Sequence, residues 1–344
     1  VDEREDVLIN ADARQITEFL EEPTPSIDSI YRPVPPLHRP DLHLYRFFVD
    51  GSLRTYYLGT GVEGDRSFPI ELAQIGAAAL TRDDDGRVRA VEAQQRILLL
   101  LPRGGLGASD KAWSRLSALN AADESFRVID TTEKTALTPG EATFENLRTR
   151  SGGIARNRMH KLEIELIKST ERLRTEGSWL ILDGAVKLDE FIKSPYLIGV
   201  AKSFRKDPQF QLGRGRRDRV DITRLLAGLP YAHRTVAFSS HCGQVAFWYV
   251  RLREQKELDY PLMGVVKVEL PRPDHNPVQA ELADRLSRCL VAERNVTPHG
   301  LDRRWHCHLY PIYMAERTIK NSFYSPEVLM GMIRWSPQAN RLAL

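Results

Sequence analysis

Two aspartates in this chain follow apolar runs in the same way. Residues 46–54 read RFFVDGSLR and residues 179–187 read WLILDGAVK, so Asp50 and Asp183 each come after four or five largely apolar residues and before a glycine. Such a run predicts a buried strand, and an aspartate at its end is held rigidly where sheet enzymes carry ligand groups. Asp-Gly is also the commonest short turn signal, so either pair alone is explained equally well by a β-turn.

The helix expected before the second strand contains a third acidic candidate, Glu163. Residues 153–175 have helical spacing, and within them Glu163 shares a face with Met159 and Leu166. Glu165 is flanked at helical spacing by lysines and is expected on the charged outer face. Helical phase therefore predicts that Glu163 points toward the sheet.

The sequence allows two explanations for an inward glutamate. It is commonly paired with an arginine, and Arg156 and Arg158 in the same helix are candidate partners. Alternatively, three carboxylates that converge on one sheet edge repel one another unless cations neutralise them, and divalent metal ions would do so. The pattern thus leaves a buried ion pair and a metal site as alternatives.

Composition limits the class of protein. The chain has 344 residues, 42% of them hydrophobic and 28% charged, which is typical of one large or two modest globular domains. No apolar stretch approaches the roughly 18 to 20 residues that cross a bilayer, and the acidic start VDEREDVLIN lacks the order of a signal peptide. We therefore expect a soluble cytoplasmic protein that does not enter a membrane.

Cysteine usage agrees with a reducing compartment, because the chain has only 3 scattered cysteines. Cys307 lies in WHCH between His306 and His308, a spacing that suggests a metal site. A zinc site usually needs a second pair of ligands, and no CxxC or HxxxH partner is present. The spacing therefore argues against structural zinc.

A nucleic-acid site would have to be a local basic patch, because the net charge is only +3. The best candidate is LGRGRRDR, in which glycines separate arginines and would let a loop follow phosphate groups. A solvated loop without a ligand explains this stretch at least as well. The arginines concerned are Arg214, Arg216, Arg217 and Arg219.

The elements that must position these residues alternate between strands and helices. Residues 1–40 are expected to form a short helix over 9–22 and then a proline-rich extended lead-in, and residues 41–344 are expected to form the main domain. Strands are predicted at RFFVDGS, RTYYLGTGVE, QQRILLLLP, WLILDG, YLIGVAKSF, RTVAFSS, QVAFWYVRL and YPLMGVVKVELP. Helices are predicted at SDKAWSRLSALNAA, over 153–175, over 276–291 and at PIYMAERTIKNSF. This alternation predicts an α/β fold with a mixed sheet flanked by helices.

The order of these segments resembles the NurA nuclease family. FVDGS is followed by a helix with an inward glutamate, then by LILDG, IGVAKS, FWYVRL, VVKVELP and YPIYMAERTIKNSF, and the resemblance covers about residues 45–330. The resemblance implies an RNase H-like core and a metal-dependent nuclease that processes DNA ends, single- or double-stranded, as an exonuclease with some endonuclease activity. It also implies a homodimer and a hexameric HerA-type ATPase partner, in DNA end resection or in defence against phage.

When the family's motifs are matched to this sequence, the resemblance implies a role for four residues. Asp50, Glu163 and Asp183 would be ligands of two Mn²⁺ or Mg²⁺ ions, one of which activates water while the other stabilises the leaving oxygen. Lys202 of GVAKS would lie near the scissile phosphate and offset its charge. A lysine exposed to solvent at a strand end is an equal alternative for Lys202.

Three further residues are assigned with an alternative for each. Tyr249 and Arg251 in WYVRL are expected to point outward and contact a base or a phosphate, although packing would also explain Tyr249. Glu316 in MAERT stands where many family members have histidine or aspartate, so it is expected as a fourth metal ligand. Its alternative is a surface pair with Lys320, four residues on.

Two other classes of protein remain compatible with the sequence. The first is a resolvase or transposase-like enzyme, because one fold supports several reactions. The second is a catalytically weak structural or regulatory subunit of a DNA translocase. Retention of all three predicted carboxylates favours an active nuclease over this subunit.

Overall fold

The computed structural model describes residues 16–17, 19–23, 30–38, 43–121, 125–133, 142–186, 188–204, 209–211, 219–240, 243–256, 259–294 and 305–332. The fold is mixed α/β, with a large mixed sheet flanked by helices, which confirms the predicted class. None of the helices in these described ranges is long and apolar enough to cross a membrane.

The strands of the described residues include both long and very short members. In chain order they are β1 (Ile16–Thr17), β2 (Glu21–Glu22), β3 (Tyr31–Pro33), β4 (Tyr45–Glu63), β5 (Arg66–Arg82), β6 (Val88–Leu101), β7 (Phe126–Asp130), β8 (Trp179–Asp183), β9 (Leu197–Ala201), β10 (Gln209–Gln211), β11 (Arg219–Asp221), β12 (His233–Thr235), β13 (Phe238–Ser240), β14 (Val245–Arg251), β15 (Val265–Pro271) and β16 (Val278–Gln279).

The α-helices are α1 (Asp110–Ser117), α2 (Phe144–Ser169), α3 (Leu188–Phe191), α4 (Ile222–Ala227), α5 (Ala280–Ala292), α6 (Tyr310–Ser322) and α7 (Pro326–Met332). Short 3-10 helices occupy Gly104–Leu106, Ala118–Ala121, Glu171–Leu173 and Trp305–Cys307. Helix α1 begins as its sequence predicts, because the side chain of Ser109 accepts a hydrogen bond from the backbone N–H of Ala112.

The chain divides into two compact units. Unit 1 comprises Val1–Asp50, Ala79–Val91 and Ile164–Ala315. Its strands follow the order β3, β12, β14, β15, β9, β8 and β4, in which β4, β8 and β9 run parallel and the others are antiparallel to their neighbours. Helix α5 is joined to this sheet by a hydrogen bond of 2.8 Å from the indole of Trp248 to the hydroxyl of Ser287.

Unit 2 comprises Gly51–Ala78, Glu92–Glu163 and Glu316–Leu344. Its strands follow the order β4, β5, β6 and β7, and β6 runs parallel to β7. One apolar cluster of this unit contains Phe68, Leu101 and Val128 from three different strands, with Trp113 of α1 packed against it. Burial of these side chains stabilises the contact between α1 and the strands.

Two local predictions are wrong. RFFVDGS and RTYYLGTGVE were predicted as two separate strands, but β4 continues through both as one strand from Tyr45 to Glu63. The turn signal is overridden because β4 pairs with β8 through its apolar part and has β5 as its other neighbour in the sheet. The helix expected over 9–22 is also absent from the described residues there, which form β1 and β2.

Candidate functional site

Asp50 and Asp183 are neighbours in register within unit 1. The parallel strands β4 and β8 pair Val49 with Leu182, and the two aspartates are the next residues on each strand. Neighbouring strands lie about 4.8 Å apart, and residues in register point to the same face. Asp50 is nearly buried, with 8% of its surface exposed, and Asp183 is partly buried as the last residue of its strand. The register therefore brings Asp50 and Asp183 to neighbouring positions on adjacent strands.

Lys202 lies next to this pair. Strand β9 pairs with β8 so that Val200 is opposite Asp183, and Lys202 follows just after the strand ends. The ammonium group of Lys202 donates a hydrogen bond to Asp183, with Nζ and Oδ2 2.8 Å apart. Lys202 is therefore an ion-pair partner and not the solvent-exposed lysine of the alternative explanation.

The turn after Asp183 is fixed by a residue that sequence reasoning missed, Glu269. The backbone N–H of Val186 donates to the Glu269 carboxylate at 2.9 Å, and Gly184 donates its N–H to the carbonyl of Val200 at 2.9 Å. Gly184 has φ of 108°, a conformation that favours glycine. In the sequence, the one sign that Glu269 has a role is that it alternates with Lys267 within an otherwise apolar strand. The ammonium group of Lys267 donates a hydrogen bond of 2.6 Å to the Glu269 carboxylate.

Glu163 occupies the inward face of α2, as helical phase predicts. Only 7% of its surface is exposed, whereas Glu165 is exposed. Its partner is His160, whose Nδ1 lies 2.6 Å from Oε2, and neither of the two arginines considered from the sequence fills that place. Oε1 lies over β4 at Gly51, where an added Cβ would come within 2.6 Å of it. Within unit 2, Glu163 is thus held between a histidine and a glycine.

Glu316, also in unit 2, pairs with Lys320 one helical turn away. This is the surface ion pair that the sequence offered as the alternative to metal ligation. Glu316 is partly buried, and its role as a fourth ligand stays a prediction.

The prediction that Tyr249 points outward is wrong. Only 1% of its surface is exposed, and its ring packs against Phe204 at 5.0 Å between centroids. Burial raises the pKa of the Tyr249 hydroxyl above its ordinary value. Every residue of β14 is buried, so no side of this strand faces solvent and alternation does not select an outward side chain.

The outward orientation predicted for Arg251 is wrong for the same reason. Its guanidinium is buried and donates hydrogen bonds of 2.6 to 2.8 Å to backbone carbonyls. The acceptors belong to Leu226, Leu229, Pro261 and Met263. Arg251 therefore joins loops of unit 1 and presents no donor to a nucleic acid.

The structure describes little of the predicted basic loop. Arg214, Arg216 and Arg217 lie outside the described residues, and Arg219 begins β11. The WHCH segment forms a 3-10 helix at Trp305–Cys307, in which the His306 imidazole accepts a hydrogen bond from the N–H of Gly264 at 3.0 Å. This histidine has a structural partner.

The donor set at β4 and β8 fits a hard divalent cation in part. Carboxylate oxygens are the donors that Mg²⁺ and Mn²⁺ prefer, and Mg²⁺ is commonly held by one or two carboxylates together with water and substrate phosphate. Asp50 and Asp183 supply two such groups. Across the described ranges, no group of three or more His, Cys, Asp and Glu side chains suits a metal ion, so the full ligand set stays a prediction.

Comparison with known proteins adds no family assignment. No protein-family model matches the chain, and no curated protein matches it either. The NurA resemblance therefore depends on the ordered segments of the sequence alone.

Proposed function

We propose that this protein is a divalent-metal-dependent deoxyribonuclease with an RNase H-like core. The observation that carries the proposal is the register of β4 and β8, which puts Asp50 beside Asp183 with Lys202 bound to the latter. Two carboxylates and a cation on three neighbouring segments of the sheet suit the binding of metal ions and of a phosphate group. The ordered resemblance to NurA selects DNA as the substrate.

In this proposal the residues of the site have separate tasks. Bound Mn²⁺ or Mg²⁺, in a two-metal arrangement, would activate water and stabilise the leaving oxygen. Asp50 and Asp183 would hold the metal, and Lys202 would offset negative charge on the scissile phosphate once the substrate loosens its bond to Asp183. Glu269 would keep the turn after Asp183 in place through Val186. Glu163 and Glu316 are the further ligands that the resemblance implies.

The biological setting follows from the resemblance alone. We propose a homodimer that works with a HerA-type hexameric ATPase in the cytoplasm, with Mn²⁺ or Mg²⁺ as cofactor. The substrate would be a DNA end, and the process would be end resection or defence against phage.

The test is a nuclease assay with the full chain on linear duplex and single-stranded DNA. Mn²⁺, Mg²⁺ and chelator are compared, each with and without the ATPase. Asp50→Asn and Asp183→Asn are expected to lower the rate by on the order of 100-fold, as loss of a charged group in an active site commonly does. Asp189→Asn is the matched control, because Asp189 is exposed on α3.

A wild-type chain that leaves both DNA substrates intact under all of these conditions is not this nuclease. Equal rates for Asp183→Asn and Asp189→Asn would show that the activity resides elsewhere. Preferential cutting of four-way junctions over linear ends would favour a resolvase. Circular dichroism of each variant separates a lost site from a lost fold.

A further inference from the structure

One stretch of helix α2, residues 146–162 of unit 2, carries only positive charge. Its sequence NLRTRSGGIARNRMHKL contains four arginines, one lysine and one histidine, and it has no aspartate or glutamate. The whole chain has a net charge of only +3, so this stretch is a local concentration of cations. The cations are Arg148, Arg150, Arg156, Arg158 and Lys161.

Most of these cations have no carboxylate beside them. Arg148 pairs with Glu71 at 2.8 Å, and Arg150 donates its Nε–H to the carbonyl of Thr131. Within the ranges that the structure describes, no ion pair engages Arg150, Arg156, Arg158 or Lys161. The last two are exposed and the first two partly exposed, so an anion in solution can reach them.

Two glycines, Gly152 and Gly153, lie in the middle of this stretch. Glycine is among the least favourable residues in a helix interior, so a pair of them costs helix stability. Close packing does not require them, because a Cβ added at either position would meet no atom of the described residues within 4 Å. They leave bare backbone at the surface between Arg150 and Arg156, where an extended chain can lie close to the helix.

Arg156 and Lys161 flank the face that Gly153 opens. They lie three and eight positions after Gly153, and at 3.6 residues per turn these positions fall on opposite sides of it around the helix. Asn157 lies on the same face as Gly153, four residues further on, and is exposed. The face therefore has an open centre and a cation on each side.

We infer that this stretch of α2 is the surface along which the sugar-phosphate backbone of a DNA strand lies. From Arg150 to Lys161 the helix rises about 16 Å, which matches about five nucleotide steps of 3.4 Å. The cations would neutralise phosphates, and the glycines would let the strand approach closely. The stretch ends next to Glu163, the carboxylate proposed as a metal ligand. The choice of DNA as the polyanion rests on the proposed function.

The test measures DNA binding in chelator, so that no metal-dependent cleavage occurs. The full chain is titrated into a fluorescein-labelled, mixed-sequence, single-stranded oligonucleotide, and fluorescence anisotropy is followed at several salt concentrations. The variants are Arg156→Gln, Lys161→Gln and Gly153→Glu. Arg115→Gln is the control for charge, because Arg115 is exposed on α1. Gly331→Glu is the matched control for Gly153→Glu, because Gly331 is an exposed glycine of α7 with nothing within 4 Å of its Cβ position.

We expect salt-dependent binding that Arg156→Gln and Lys161→Gln each weaken about fivefold, with a salt slope reduced by about one. Gly153→Glu should weaken binding about tenfold or more, because its carboxylate faces the phosphates. The same variant should melt at or above the wild-type temperature, because glutamate favours a helix more than glycine does. Both controls should bind DNA as wild type does.

Three results overturn the inference. They are a wild-type chain without salt-dependent DNA binding, Arg156→Gln and Lys161→Gln that bind like Arg115→Gln, and Gly153→Glu that binds like Gly331→Glu. Competition by polyglutamate as strong as that by unlabelled DNA would indicate an acidic protein as the partner and would also overturn it. A chain that binds DNA as expected but never cleaves it contradicts the proposed nuclease alone, so the two failures are distinguishable.

Discussion

Lys202 and Asp183 form an ion pair at the end of two neighbouring parallel strands, with 2.8 Å between Nζ and Oδ2. The lysine side chain is 13% exposed and the aspartate side chain 23%, so solvent screens this pair less than a surface pair. A cation that binds Asp183 must compete with the ammonium group for the same carboxylate. Lys202 thus affects both the charge and the availability of Asp183.

Replacing Lys202 by methionine is expected to separate these two effects. If the nuclease proposal is right, Lys202→Met lowers the cleavage rate about 10- to 100-fold, because the phosphate loses a neutralising charge. Mn²⁺ is expected to bind more tightly, because its competitor is gone. Cleavage rates measured across a Mn²⁺ titration report both quantities. Lys193→Met, at an exposed position, is the control, and equal behaviour of the two variants would contradict the expectation.

Gly51→Ala tests whether the position of Glu163 matters for activity. The added methyl group would lie 2.6 Å from Oε1 of Glu163, so the carboxylate has to move away from its contact with His160. We expect a loss of cleavage that exceeds any loss of stability, measured by cleavage rate and by urea unfolding. Gly177→Ala is the matched control, since nothing lies within 4 Å of a Cβ there. A Gly51→Ala variant that cleaves like Gly177→Ala would count against Glu163 as a ligand.

Glu71 is expected to make stability depend on pH. Burial raises the pKa of this carboxyl, and the ion pair with Arg148 at 2.8 Å only partly opposes the shift. A raised folded-state pKa favours folding at low pH, and that contribution is lost as pH rises through the folded pKa. Glu71→Gln should therefore melt at a higher temperature than wild type at pH 7, and the difference should disappear near pH 4, about the pKa of a free glutamate.

Thermal melts of Glu71→Gln between pH 4 and pH 8 check this dependence. Glu145→Gln serves as the comparison, because Glu145 also pairs with Arg148 but its side chain is 78% exposed. This variant should differ little in stability from wild type, because exposed ion pairs contribute little. A Glu71→Gln variant that is less stable than wild type at pH 7 would mean that the ion pair outweighs burial.

Arg251→Gln is expected to act on stability. The guanidinium satisfies four backbone carbonyls, and its loss leaves several of them buried without a donor. We expect destabilisation of about 3 kcal/mol or more by urea unfolding. Arg224→Gln, at an exposed position of α4, should change the free energy of unfolding little. An Arg251→Gln variant with normal stability and weakened DNA binding would restore the original nucleic-acid assignment.

Helical and apolar periodicity predicted the parts of the site that depend on local sequence. Glu163 and Glu165 differ by two positions in one helix, and their opposite exposure follows from phase alone. The apolar runs before Asp50 and Asp183 likewise correspond to buried strand residues. What sequence could not supply was the pairing of β4 with β8, because register between distant segments depends on tertiary packing.

Other predictions failed because contacts between distant parts of the chain, which the local sequence does not show, determine the structure at those residues. Asp-Gly after Val49 has the composition of a turn, but strand pairing on both sides keeps β4 extended. Arg251 is charged and yet buried, since backbone carbonyls from distant loops replace water around it. The role of Glu269 could not be predicted from the sequence, because its hydrogen bond to the N–H of Val186 joins residues 83 positions apart.

Gly199 limits which sequences can build the turn that carries Asp183. A Cβ at this position would lie 2.7 Å from the carbonyl oxygen of Gly184 and 3.0 Å from the backbone nitrogen of Val186. Neither atom belongs to a flexible side chain, so even alanine would have to push the turn away from β9. In homologous chains with the same turn, position 199 is therefore expected to tolerate glycine alone. A larger residue there would mark a chain in which the aspartate has moved.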